Sequence, residues 1–137
     1  MSAVQNGASI AIIVLNWNGR DLTLDCLRSL AAVTTPHVRI ILVDNASTDG
    51  SSDAVRQHYG SRVTLIENAQ NLGFAAGNNV GIRRALDDGA DFILLLNNDT
   101  VVAPDFVDHL HKPMLSSPDI GITAPKIYYA EPKNQIW

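Results

Sequence analysis

The sequence holds a single cysteine, Cys26, which excludes an internal disulfide; its place among Leu22, Leu27 and Leu30 in an amphipathic run reads as a small core position. A reducing compartment fits. Charge is sparse, at 18% of residues, and the basic share is the smaller, with 10 Lys and Arg against 14 Asp and Glu and a formal net charge of −4. The basic residues are scattered, so no cationic face meets a phosphate backbone and nucleic-acid binding is excluded as a reading. Long apolar runs are missing too. Ile10 to Leu15 is too short for a membrane span or a secretory signal, and Met1 to Gly7 before it carries no basic residue. The expectation is a cytoplasmic protein, at most peripheral to the inner face of the cell membrane.

Familiar cofactor motifs are absent as well. The first apolar run is not followed by Gly-x-Gly-x-x-Gly, and no Gly-x-x-x-x-Gly-Lys-Ser/Thr loop occurs, which disfavours a dinucleotide-binding dehydrogenase and a P-loop NTPase. The histidines do not have zinc spacing: His109 and His111 are two apart on a predicted helix and face different ways, while His37 and His58 stand alone.

What is present is a globular pattern. With 46% hydrophobic residues, a chain of 137 residues can bury about two thirds of its surface in one domain. Residues 1 to 8 read as a flexible polar tail, and residues 9 to 137 as one compact unit without a linker. The runs Ile10–Leu15, Val38–Val43 and Phe92–Leu96 lack in-out alternation and read as strands covered on both faces, as in a mostly parallel sheet. A weaker strand is expected at Val63–Ile66 and a fifth at Ile120–Thr123. Helical patterns fill the gaps at Leu22–Val33, Ser52–Tyr59, Ala75–Leu86 and Pro104–Leu115, where Pro104 suits the first turn and Pro113 should end or kink the helix. The alternation predicts a layered α/β fold.

Ligands of such sheets bind beyond the carboxyl ends of the strands. Here those ends are polar: Asn16-Trp17-Asn18-Gly19, Asp44-Asn45-Ala46-Ser47-Thr48-Asp49-Gly50, Glu67-Asn68, and Asn97-Asn98-Asp99-Thr100. Asp99 offers a carboxylate beside two amides, which suits a hard cation carried by a diphosphate, or else an Asx turn capping the next helix. Asp44 can accept a hydrogen bond from a ribose or a pyrimidine N–H, or else it opens a turn rich in local cappers. Both aspartates follow strands expected to be neighbours or near neighbours.

Two further stretches are Asn71-Leu72-Gly73-Phe74-Ala75-Ala76-Gly77-Asn78-Asn79-Val80-Gly81 and Leu96-Asn97-Asn98-Asp99 followed by Pro104-Asp105. With Asn16-Trp17-Asn18-Gly19 and Val43-Asp44-Asn45-Ala46-Ser47-Thr48-Asp49-Gly50-Ser51, they resemble the inverting family 2 glycosyltransferases, and within them the rhamnosyltransferase-like branch. The resemblance spans residues 9 to 137. It implies a GT-A (Rossmann-like) three-layer α/β fold with a mostly parallel sheet, ending before the acceptor half. It further implies a UDP- or dTDP-linked sugar donor, a glycan or lipid-linked acceptor, and Mg2+ or Mn2+ at Asp99. Nucleotide contacts fall on Asn16, Trp17, Asn18, Asp44, Asn45, Asn78 and Asn98.

Three departures from the family pattern matter. Asn97 stands where many members have the first Asp of Asp-x-Asp, which removes one negative charge. Ala76-Gly77-Asn78 replaces Ala-Arg-Asn, so Gly77 supplies no cation to the diphosphate. The family's general base lies in a second half beyond Trp137, so no catalytic residue is assigned and the chain alone is expected to be inactive in transfer. Two rival readings are a non-catalytic nucleotide-sugar-binding module and a receiver-like domain, the latter disfavoured because Asn16 and Asn18 are amides where it needs acids. An exposed sheet edge would favour a homo-oligomer.

Overall fold

The computed structural model describes residues 7–132 and 135–137. Four strands, β1 (Ile10–Asn16), β2 (Val38–Asp44), β3 (Val63–Glu67) and β4 (Phe92–Asn97), alternate with four helices, α1 (Arg20–Leu30), α2 (Ser51–Tyr59), α3 (Gly73–Asp87) and α4 (Phe106–Ser116). A short 3-10 turn, Gly60–Arg62, leads into β3. Of the tail expected over residues 1 to 8, residues 1–6 lie outside the described residues.

The sheet is parallel with order β3-β2-β1-β4. Register brings every carboxyl end to one side: Asn16 pairs with Asp44, Leu15 with Asn97, and Asp44 with Glu67. Three layers follow from the two-residue period of the strands. Ile10, Ile12, Val14 and Leu42 pack with Cys26, Leu27 and Leu30 of α1, Val55 of α2 and Val107 of α4. On the other face Ala11, Ile13, Ile41 and Val43 pack with Ala85 of α3. Each fully buried Ile or Leu contributes about 1.5–3 kcal/mol over leaving it in water.

α3 lies close to the sheet because two of its residues have no side chain. A Cβ on Gly77 would sit 2.7 Å from Leu15 Cδ1 and 2.8 Å from Asn45 Nδ2, and one on Gly81 would sit 2.6 Å from Ile13 Cγ2. Gly77 therefore has a packing reason, and no long cationic side chain could share its place against the sheet.

Three expectations are corrected. Ile120–Thr123 forms no strand: Thr123 Oγ1 donates to the Leu110 carbonyl at 2.9 Å, which tethers the segment to α4, and Ile122 is 89% exposed. Pro104 precedes the helix, with Asp105 as N-cap. Pro113 does not end α4, which runs on to Ser116, since the missing N–H costs only the bond to the preceding turn.

Candidate functional site

Strand order reverses at β1, with β2 and β3 on one side and β4 on the other. That switch point leaves a crevice beyond the strand ends. It is occupied by a cavity of about 230 Å3 lined by Leu15, Phe74, Asn78, Leu95, Leu96, Asn97, Asn98 and Asp99. α1, α2 and α3 each begin at this end of the sheet, so the partial positive charge of three helix N-termini faces it.

Beside the cavity is a network of amides centred on Asn16, which is fully buried. Its Nδ2 donates to Asp44 Oδ1 at 2.7 Å and to Ser47 Oγ at 3.1 Å. Its Oδ1 accepts from Thr23 Oγ1 at 2.9 Å, from the Gly19 N–H at 3.1 Å and from Asn98 Nδ2 at 3.1 Å. Buried polar groups are costly unless paired, so these bonds hold the ends of β1, β2 and β4 in one arrangement.

Asp44, 2% exposed, also accepts from the Ser47 N–H at 2.8 Å through Oδ2. Asn45 is braced separately: its Nδ2 donates to the Gly73 carbonyl at 3.1 Å and its Oδ1 accepts from Asn68 at 2.8 Å, which ties β2 to the start of α3. Asn18 bridges to the facing loop, its N–H on Ser47 Oγ at 2.8 Å and its Oδ1 taking the Thr48 N–H at 2.7 Å. It does so at a positive φ of 52°, which asparagine tolerates better than most residues.

The structure thus joins Asn16, Asp44 and Asn98 in one network and sets Asn78, Asn98 and Asp99 on one cavity wall. Asn78 donates to the Phe74 carbonyl at 3.0 Å. Trp17 is apart from the cavity lining and 59% exposed, its indole free at the mouth of the β1–α1 turn. Thr23 escaped the sequence reading, and Gly19, Ser47 and Phe74 entered it only as parts of motifs, without a role in the site. Thr23 lay hidden among the apolar positions of α1, although a hydroxyl three residues before Cys26 on the inward face was a signal that it had a buried partner.

Asp99 is exposed and accepts no hydrogen bond among the described residues, unlike Asp44. No group of three or more His, Cys, Asp or Glu able to hold a metal occurs among the described residues. One free carboxylate fits a Mg2+ or Mn2+ ion that keeps several waters and shares its other ligands with substrate phosphates; it does not fit an ion held by protein alone. Cys26, below this turn, is not a nucleophile: burial pushes its thiol up to about 11, with Asp99 adding to the rise against hydrogen bonding at Thr100.

Asp49 locks the loop from outside. Partial burial alone would raise its pKa, but hydrogen bonds from the Ser51 hydroxyl and the N–H groups of Arg20 and Ser51 outweigh it and hold the carboxyl below its usual range. Asp105 and Asp108 belong to the far end: Pro104 accepts from the Thr34 N–H at 3.0 Å and Asp108 from Thr35 Oγ1 at 2.8 Å, both just before β2 begins.

The family model described as glycosyl transferase family 2 matches residues 9–137, and the chain belongs to that family. It is 30% identical over 112 residues to an uncharacterized glycosyltransferase of Haemophilus influenzae, a match covering 82% of this chain and 36% of that protein. It is 32% identical over 109 residues to an N-acetylglucosaminyl-diphospho-decaprenol L-rhamnosyltransferase of Mycobacterium tuberculosis, covering 74% of this chain and 35% of that protein. Among solved structures, a mannosyltransferase from Pyrobaculum calidifontis in complex with GDP-Man and Mn2+ superimposes with a TM-score of 0.74 at 25% identity, covering 84% of this chain and 34% of that one. TarS of S. aureus, at 18% identity and a TM-score of 0.71, shares the fold over 90% of this chain. The chain spans about a third of the length of these relatives.

Proposed function

We propose that this chain is the donor-binding part of a glycosyltransferase that moves a sugar, rhamnose in the first instance, from a UDP or dTDP carrier to a glycan or lipid-linked acceptor hydroxyl with inversion. The observation that carries the reading is the cavity at the β1–β4 switch point, whose wall ends in the free carboxylate of Asp99 beside the Asn16, Asp44 and Asn98 network. The solved mannosyltransferase with GDP-Man and Mn2+ supports a nucleotide sugar and a divalent cation, and the decaprenol-linked rhamnosyltransferase supports the sugar and the acceptor class.

In this reading Asp99 holds Mg2+ or Mn2+, and the ion offsets the charge of the departing diphosphate. The amides of Asn78, Asn97 and Asn98 are neutral donors and acceptors suited to sugar hydroxyls and phosphate oxygens. Asn16, Asn18, Asp44 and Asn45 shape the nucleoside side, and the exposed Trp17 offers a face for stacking on the base. β4 is bonded on one side only among the described strands, so self-association along its edge is a further expectation, read by light scattering. Among the described residues no helix is long and apolar enough to cross a membrane.

The test is calorimetry with UDP, dTDP and GDP, each with Mn2+ and with EDTA. A pyrimidine nucleotide should bind more tightly with metal, and Asp99→Asn should abolish that difference. Equal binding with and without metal would remove the cation from the reading; tighter GDP binding would remove the pyrimidine carrier.

A further inference from the structure

The direction of every bond around Asn16 is fixed by its ends. An ionised carboxylate only accepts, so Asp44 takes the Nδ2 side; a backbone N–H only donates, so Gly19 takes the Oδ1 side. Thr23 has one hydroxyl proton and gives it to Asn16 Oδ1, so it receives a proton from Asn98 Nδ2 at 3.0 Å. Asn16 Oδ1 and Thr23 Oγ1 stand only 2.9 Å apart, so they share one N–H of the Asn98 amide and hold it against the β1–α1 turn.

Room for that amide comes from a missing atom. A Cβ on Gly19 would lie 2.6 Å from Asn98 Nδ2 and 3.1 Å from Asn16 Oδ1. The backbone there has φ −121°, open to any residue, so the need for glycine is one of space. On the other side of the turn, Thr100 Oγ1 donates to the Asn97 carbonyl at 2.7 Å. Asp99 thus sits between anchored neighbours, and its carboxylate is left unbonded among the described residues.

We propose that the β1–α1 turn is a socket for the side-chain NH2 of Asn98, and that Thr23 and Gly19 are positioning residues which set the Asp99 carboxylate for a metal–diphosphate ligand. The inference rests on the donor-site reading above and adds residues that never touch the ligand. It separates two functions of one loop: Asp99 meets the cation, and α1, packed in the core, decides where Asp99 stands.

The probe is Mn2+ with inorganic pyrophosphate, which needs no base recognition, followed by Mn2+ relaxation of water protons, alongside exchange of the Asn98 side-chain amide by NMR in the metal-free protein. Thr23→Val keeps the shape of the side chain and removes the bridging hydroxyl. It should weaken Mn2+–pyrophosphate binding by roughly 3- to 10-fold, the range of one net hydrogen bond, and should speed Asn98 amide exchange. Thr23→Ser should restore both. In the Asp99→Asn background Thr23→Val should have no further effect on binding. Should Thr23→Val fail to fold, Gly19→Ala, which drives a methyl into the socket, should give the same pair of changes. A folded Thr23→Val with wild-type Mn2+ affinity overturns the proposal, as does wild-type Asn98 exchange as fast as a free amide. If wild type binds no Mn2+–pyrophosphate while Asn98 is protected, the metal reading falls and with it the positioning role, leaving only the amide socket.

Discussion

The two ends of this sheet carry a cavity each and are built on different principles. At the carboxyl end of the strands, amides bond to one another and to Asp44, and one carboxylate, Asp99, is left free at a cavity of about 230 Å3. At the amino end, a cavity of about 280 Å3 is lined by Ile10, Pro36, His37, Asp108, His111 and Lys112, with Asp108 already paired to Thr35. There His111, half-buried, packs edge-on against Phe92 with ring centroids 4.6 Å apart. The difference follows from parallel topology. Each crossover helix starts where a strand ends, so N–H groups and positive helix ends accumulate at the carboxyl side and carbonyl ends at the other. Three helix N-termini, those of α1, α2 and α3, face the carboxyl end against only that of α4 at the other, so an anionic ligand is better served at the carboxyl end before any side chain is chosen.

Four expected outcomes break or sharpen that contrast. The largest concerns sugar transfer. Among the described residues the only carboxylate on the switch-point cavity is Asp99, so no group is free to take the acceptor proton, a step worth about 10²- to 10⁴-fold. Product formation from a panel of nucleotide sugars and acceptors should be absent for this chain; efficient transfer would mean that a base had been overlooked.

Next comes the paired substitution of one aspartate at each end. Asp44→Ala should weaken nucleotide binding by about 1.5–3 kcal/mol, the range for a hydrogen bond to a charged group, and lower stability as well by removing one partner of Asn16 Nδ2 and the acceptor of the Ser47 N–H. Asp108→Ala should leave nucleotide affinity unchanged. Calorimetry on both variants decides whether the carboxyl end is special, and equal losses would erase the distinction.

Gly81→Ala should destabilise by about 1–3 kcal/mol, because its methyl meets Ile13 and Val43 and must push α3 off the sheet. Denaturant unfolding measures it. The smallest effect is the response to acid. The Asp49 carboxyl is held below the ordinary aspartate range, so its contribution is complete above that range and fades as pH falls through the lower folded one. Asp49→Asn should lower stability slightly at neutral pH and flatten the acid limb below about pH 4, so that variant and wild type converge in acid.

Each observed strand contains the run that announced it, Ile10–Leu15 within β1 and Phe92–Leu96 within β4; burial on both faces explains the run in β1, whereas β4, expected to be covered likewise, is an edge strand with Leu95 half exposed. The family was legible in the polar segments that follow those runs. Ile120–Thr123 misled for the same reason that the others succeeded: its residues have strand character, but β-propensity is only a fit to a half-buried surface, and Thr123 found its partner in α4. Pro113 misled because a proline removes one bond, and the rest of α4 holds the helix for another turn.

The sequence by itself determined the layered α/β fold, the polar strand ends, and the candidacy of Asp44 and Asp99, since all of these are written in local pattern and spacing. Tertiary structure decided what those residues do. Asp44 and Asp99 have the same side chain at the ends of two strands, yet one is buried with both oxygens bonded and the other stands free. Thr23 and Gly19 carried no sign of their link to Asn98, 75 residues from Thr23 in the chain. Hydrogen-bond partners across such separations are chosen by which strands become neighbours, and strand order is set by how helices pack over the sheet, a long-range outcome that no short window of sequence contains.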